Sequence, residues 1–247
     1  MFHIVIEFRM STEKSESAQG TARVQFQCHW KGKISSLYGK QEGLEQLIKT
    51  LQDFMSEGLW ELDQTGAAPV LPDGKIGGNA AAKFVVGDQD YFLVSKSGKL
   101  AHQRMVDADF CVVRDFNLQN WSCEYLSSDE SIQPTSDTPM HVRVFRASTE
   151  LNWPEEVKAT LHGHALATEE EAKKCGLPIS HKETQCSTRE DTEALITLMK
   201  QYPYPEHKVF VRKNHGFIIT SASMADANMI FKSKLKPFIV KSDSNGQ

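Results

Sequence analysis

The chain has 247 residues, 40% of them apolar and 24% charged, with a formal net charge of -4. That length allows one large domain, or one domain with an addition, of ordinary globular composition. The slight negative charge gives no electrostatic attraction to nucleic acid or an anionic membrane, and no apolar run reaches the ~18 residues of a spanning helix, so neither partner is expected.

At the N-terminus, "MFHIVIEFRM" is apolar but broken by Glu7 and Arg9. It has no basic leader and no small-residue cleavage site, so no signal peptide is expected. Phe2, Ile4, Ile6, Phe8 and Met10 alternate at strand period, and "STEKSESAQG" then reads as a polar loop. Val24, Phe26, Cys28 and Trp30 alternate with Gln25, Gln27 and His29 to give a second strand. Residues 1–38 are therefore expected as a β addition ahead of a main domain at 39–240. Leu44, Leu47, Ile48, Leu51, Phe54 and Met55 fall at helical spacing, with Gly58 as the stop. After a Gly/Pro-rich loop, "AKFVV", "YFLVS", "FCVVR" and "WSCEYL" read as short strands joined by turns, hence antiparallel neighbours.

Beyond Pro139 the elements mix. "MHVRVFRAS" is read as a helix and "VKATLHGH" as a strand. "ATEEEAKKC" is a helix with Glu169–Lys173 and Glu170–Lys174 at i,i+4. "TREDTEALITLMKQY" is a helix with Thr188 or Asp191 as its N-cap. "KVFVRKNHGFIIT" is two strand halves around Asn214–Gly216, and "ASMADANMIFKSKLKPF" is a last helix stopped by Pro237, its lysines a solvated end. Residues 241–247 are expected as a flexible tail. The mixture without strict βαβ alternation predicts an α/β sheet with antiparallel parts. The five cysteines show no CxxC, which predicts reduced thiols and a cytoplasmic protein.

Three histidines carry the chemistry. His162 and His164 are two apart on a predicted strand, so their imidazoles project to one face with Gly163 between them, a chelate geometry for a divalent metal. By itself this pair is a weak signal, and ordinary strand-end histidines are the commoner reading. His215 lies before Gly216 at another strand end, where the chain can bend away from the imidazole. Asp137, behind Thr135 and Ser136 and two residues before Pro139, is either a helix N-cap or part of an anion site, and both roles can hold together. His3, His29, His102, His181 and His207 have no partner pattern, whereas His141 packs at a helix start where it can support the site.

In their order and approximate spacing, "GGNAAAKF", "YFLVSKSGKL", "PTSDTPMH", "LHGHA" and "KNHGFI" resemble the class II aldolase/adducin N-terminal domain family, which includes fuculose-phosphate aldolases and ribulose-phosphate 4-epimerases. The resemblance runs from about Leu44 to Phe238. It implies a three-layer α/β/α sandwich around a largely antiparallel sheet, here with the N-terminal β addition, and a homo-oligomer, commonly a tetramer. It also implies a divalent metal, Zn2+ foremost with Mn2+, Co2+ or Ni2+ as substitutes, held by His162, His164 and His215. Asp137 then stands where aldolase members carry a catalytic glutamate, and Asn79, Ser97, Gly98, Thr135 and Ser136 match positions that hold a substrate phosphate. The implied activity is retro-aldol cleavage of a sugar phosphate through a metal-stabilised enediolate. The "SDTP-H" form looks more like the epimerase members, so an epimerase or dehydratase on a pentulose phosphate stays open. So does a non-catalytic adducin-like binding module.

Several residues depart from the family pattern. "GNAA" lacks a usual hydroxyl, "SKSG" has Lys96 in place of a proline, and Asp137 is one methylene shorter than glutamate. The tyrosine that aldolase members use has no match by motif, Tyr202 and Tyr204 included.

Overall fold

The structure, a computed structural model, describes residues 26–71 and 73–243. Among them, eight strands form one sheet: β1 (Gln27–Lys33), β2 (Asn79–Val86), β3 (Gln89–Ser95), β4 (Phe110–Asn117), β5 (Ser122–Ser127), β6 (Ala159–Gly163), β7 (Val209–Arg212) and β8 (Gly216–Ser221). Their order is β1-β5-β4-β3-β2-β6-β8-β7. Every pairing is antiparallel except that of β1 with β5. Six α-helices flank the sheet: α1 (Leu44–Gln64), α2 (Thr138–Glu150), α3 (Glu169–Lys174), α4 (Arg189–Gln201), α5 (Met224–Ile230) and α6 (Lys236–Asp243).

The pleat sends alternate side chains of each strand to opposite faces. Ala80, Ala82 and Phe84 of β2 join a core with Ile48, Met55 and Leu59 of α1 and Ala227 and Ile230 of α5. Ala81 between them joins a second core with Val142 and Phe145 of α2 and Leu195 and Met199 of α4. The sheet is therefore covered on both sides, which is the expected three-layer sandwich, and its middle strands read as nearly continuous apolar runs for that reason. At roughly 1.5–3 kcal/mol for each large apolar side chain buried, these two interfaces hold the layers together.

Several sequence expectations change. The strand at Phe2–Met10 and the loop after it lie outside the described residues. Strand β1 matches its alternation, with Cys28 and Trp30 turned inward, and it joins the edge of the main sheet beside β5. Gly58 does not stop α1: a Cβ there would lie 2.3 Å from Oδ1 of Asn228, so this glycine lets α1 and α5 pack closely. Pro237 does not end the last helix, which continues to Asp243. The wider π-helical turn at Phe231–Leu235 shifts the hydrogen-bond register just before it and accommodates the missing N–H. Lys232 and Lys236 pair with Glu57 and Glu61 of α1 rather than lying free in solvent. Glu169 likewise meets Lys213 at 2.5 Å rather than Lys173. Thr188 is the cap of α4, accepting from the Asp191 amide. No helix among the described residues is long and apolar enough to cross a membrane.

The topology assembles one site. Strand β2 begins where β6 ends, with Asn79 directly opposite His162. Gly163 pairs with Phe217 of β8, which brings the β7–β8 turn and His215 to the same end of the sheet. Gly216 makes this approach possible: its φ is 138°, and a Cβ there would lie 2.1 Å from the Gly163 carbonyl oxygen. The N-terminal ends of α2 and α4 arrive from one face, carrying Asp137 and Asp191.

Candidate functional site

His162, His164 and His215 converge. Their ring centroids stand 4.9, 5.0 and 5.2 Å apart, and one nitrogen from each lies within 4.8 Å of the others. Nδ1 of His162 donates to the Phe217 carbonyl oxygen at 2.6 Å, so its Nε2 keeps a lone pair. Nδ1 of His215 faces Oδ2 of Asp191 at 3.6 Å, which turns its Nε2 toward the other two rings. Backbone carbonyl or carboxylate behind the imidazole is how proteins orient metal-binding histidines. Burial holds His162 well below the ordinary histidine range, with Arg212 and the other two imidazoles adding to the effect. Burial, followed by His215, pushes His164 down to about 4. Neutral nitrogens with convergent lone pairs are the form that a divalent metal binds, so this donor set fits one.

Asp137 is 4% exposed and stands beside the cluster, its Oδ2 3.7 Å from Nε2 of His162. It sits at the N-cap of α2 but makes no side-chain cap bond. Its carboxylate instead accepts from Asn79 Nδ2 at 2.8 Å and from Ser187 Oγ at 2.9 Å. Burial alone works against its ionised form. Arg212, His162, His215 and the Asn79 hydrogen bond outweigh that and hold the carboxyl well below the usual carboxylate range. Asn79 in turn accepts from Nε2 of His141 at 2.6 Å, and Nδ1 of His141 meets Thr160 Oγ1 at 2.8 Å. Because the Asn79 amide nitrogen must face the carboxylate, Nε2 of His141 carries the proton and Nδ1 accepts from Thr160. His141 is fully buried, and burial pushes it down to about 4, which keeps it neutral.

A cleft of about 260 Å³ opens onto these groups. Asn79, Ser97, Gly98, Thr135, Ser136, Asp137, His164 and His215 all line it; His162 is 0% exposed and lies beneath. Several of the residues matched to a phosphate role already have partners. The Asn79 amide is used at both ends, the Thr135 amide donates to Ser95 and the Ser97 amide to Gln133. The Ser97 backbone at the rim and the Ser136 side chain, whose Oγ lies 3.1 Å from Ser187 Oγ, are exposed.

Sequence reasoning missed four members of the site. Lys99 lines the cleft at 5% exposure and donates to the Gly78 carbonyl oxygen, and among the described residues no carboxylate lies within ion-pair distance of it. Burial pushes its ammonium down to about 8. The neighbouring Lys75 and Lys96 are paired with Asp73 and Asp109. Asp191 is 1% exposed, and Arg212, at 2%, bonds to it at 2.5 Å. Ser187 holds Asp137 from the loop before α4. "SKSGK" showed a second lysine after the glycine, a readable signal; the others are brought in by tertiary structure alone. Among the described residues no tyrosine lines the cleft. Tyr204 is buried against Trp153, its hydroxyl 3.3 Å from Glu155.

The fold is shared with proteins of known structure. YgbL from Klebsiella pneumoniae, whose own assignment is open among aldolase, epimerase and decarboxylase, superposes with a TM-score of 0.53 at 19% identity over 81% of this chain and 91% of that one. A sugar-phosphate aldolase from Thermotoga maritima gives 0.56 at 16% identity over 83% and 97%. An L-fuculose 1-phosphate aldolase from Glaciozyma antarctica gives 0.54 at 14% over 84% and 78%. None of the curated proteins compared by sequence matches. The sequence profile of the class II aldolase and adducin N-terminal domain matches residues 73–232, a span that holds every site residue described above. This chain is therefore a member of the class II aldolase and adducin N-terminal domain family.

Proposed function

We propose that this protein is a divalent-metal-dependent, aldolase-type lyase that cleaves a carbon–carbon bond in a small phosphorylated sugar. The observation that carries this is the convergence of three imidazoles beside an ionised, buried Asp137 in a cleft that also holds a lysine outside any ion pair among the described residues. His162, His164 and His215 would hold the metal, with Zn2+ the first candidate because all three donors are imidazole nitrogens. Bound there, it supplies a Lewis acid for a substrate carbonyl and its neighbouring hydroxyl.

The chain's own residues do the rest. Asp137 is ionised and so is a base. It accepts a substrate hydroxyl proton as the carbon–carbon bond breaks, and it returns a proton to the carbon left electron-rich. The Asn79 amide and the Ser187 hydroxyl fix its two oxygens in place. Lys99, with Ser97, Gly98 and Ser136 at the cleft rim, grips the phosphate and fixes the register of the sugar. Membership of a family whose solved relatives include sugar-phosphate aldolases supports the substrate class.

One observation favours a second reading. No tyrosine among the described residues lines the cleft, and the acid is an aspartate, the form that resembles epimerase members. A pentulose-phosphate epimerase or dehydratase would use the same site. A panel of ketose phosphates, followed with and without a chelator for released dihydroxyacetone phosphate and aldehyde, separates the two. Metal-dependent release of both fragments supports the lyase, and a new pentulose phosphate without fragments supports the epimerase.

A further inference from the structure

Three cysteines lie on successive strands at one edge of the sheet: Cys28 on β1, Cys123 on β5 and Cys111 on β4. Cys28 and Cys123 are direct partners in the parallel register of β1 with β5. Both turn to the same face: Cys123 belongs to the core shared with α2 and α4, and Cys28 packs against that core. Neighbouring strands lie about 4.7–4.9 Å apart, inside the roughly 4.4–6.8 Å Cα separation that a disulfide spans. The two thiols are within hydrogen-bond reach of each other, and that contact, with burial behind it, holds Cys123 well above the ordinary thiol range. Cys111 is placed differently. It is two strands from Cys28, and the pairing of Val112 with Leu126 sets it toward the other end of β5 from Cys123. Its Sγ donates to the Ile132 carbonyl oxygen at 3.4 Å.

Only one of the pair is open to a reagent. Cys123 is 1% exposed, whereas Cys28 is half-buried and lines a cavity of about 250 Å³. Ser97, Ser136 and Ser187 line both this cavity and the cleft over the histidines, so the two spaces share a wall. A small oxidant therefore meets the Cys28 sulfur first, with the Cys123 sulfur behind it.

We propose that Cys28 and Cys123 form a peroxide-reactive pair that closes to a disulfide. The Cys28 sulfur attacks one peroxide oxygen, the O–O bond breaks, and the other oxygen leaves as water with the thiol proton, so Cys28 becomes a sulfenic acid. The Cys123 sulfur then attacks that sulfur, the S–O bond breaks, and the hydroxyl leaves as water with the Cys123 proton. Two thiols give up two electrons, and one peroxide becomes two waters. The new bond ties β1, which stands at the sheet edge and outside the family match at 73–232, covalently to β5. It also fixes the cavity wall that Cys28 supplies. The inference is independent of the metal reading and involves none of its ligands.

The test is hydrogen peroxide added to the tag-free full chain after reduction and desalting, followed by alkylation of the remaining thiols and peptide mapping without reductant. The expected result is an intrachain link between the Cys28 and Cys123 peptides in most molecules, reversed by dithiothreitol. Cys28→Ser should abolish it. Cys123→Ser should leave Cys28 as a sulfenic acid that dimedone traps. Circular dichroism checks that both variants fold. A wild type in which peroxide leaves Cys28 and Cys123 unlinked, or joins Cys28 to another cysteine instead, overturns the proposal. If a variant does not fold, the wild-type map alone decides: a dithiothreitol-sensitive Cys28–Cys123 link supports the proposal and its absence overturns it.

Discussion

Asn79 Nδ2 stands 2.8 Å from Oδ2 of Asp137 across 58 residues of sequence, and the same side chain accepts from His141 behind it. This bond fixes the carboxylate at the edge of the histidine cluster without using the helix N-cap role that the sequence gives Asp137. Asn79→Ala leaves a buried carboxylate oxygen and a buried imidazole N–H each short of a partner. A loss of about 1–3 kcal/mol is expected in urea unfolding, because an unsatisfied buried polar group costs that much. A variant as stable as wild type would show that the amide does not bear on Asp137.

The buried His141 predicts how stability depends on pH. Its folded value is pushed down to about 4, below the ordinary 6.5. Between those values the unfolded chain takes up a proton that the folded chain refuses, so the stabilisation is fully present above pH 6.5 and is lost as pH falls toward 4. The window is worth on the order of 3 kcal/mol at one pKa unit per 1.36 kcal/mol. Urea midpoints at pH 7.0 and 4.5 should fall steeply for wild type and less for His141→Gln. Equal losses would remove His141 from the account.

Lys99 is expected to contribute to anion affinity more than its neighbours, whose charges are paired. A charge-assisted hydrogen bond of about 1.5–3 kcal/mol corresponds to roughly a tenfold or greater rise in KM for the phosphorylated substrate in Lys99→Met. Lys75→Met should change KM less. The reverse ranking would relocate the phosphate.

Gly77 packs against His164: a Cβ there would lie 2.8 Å from both Cε1 and Nδ1 of the ring. Gly77→Ala should weaken zinc binding about tenfold or more by displacing an imidazole it never touches chemically. Gly39→Ala, where nothing lies within 4 Å of the added carbon, is the control and should bind as wild type does. Matching affinities for the two variants would mean that His164 is not a ligand.

How much of this was legible in the sequence follows from where each signal resides. The period of two along a strand places His162 and His164 on one side, and the His215–Gly216 step marks a bend; both are local and could be read. An α/β sheet with antiparallel parts was readable for the same reason, from apolar runs and helical spacing, and the three-layer sandwich came from the family resemblance. Gly58 misled because a glycine that ends a helix and one that admits a neighbouring helix look alike without Asn228 beside them. Asp191 reads as an acid in the first turn of a helix, and Arg212 as the polar end of a short strand. Only the pairing of β7 with β8 and the packing of α4 against β7 bring them together, through contacts that no spacing encodes. The charge that sits among the imidazoles was for that reason invisible, although every residue that makes it was in view.

The central claim is a metal site made by three imidazoles, and the number of zinc ions bound tests it most directly. Tag-free wild type and His164→Ala, each saturated with zinc and passed over a desalting column, should hold about one zinc per chain and essentially none by elemental analysis. A wild type that holds none, or a His164→Ala variant that holds as much as wild type, would contradict it.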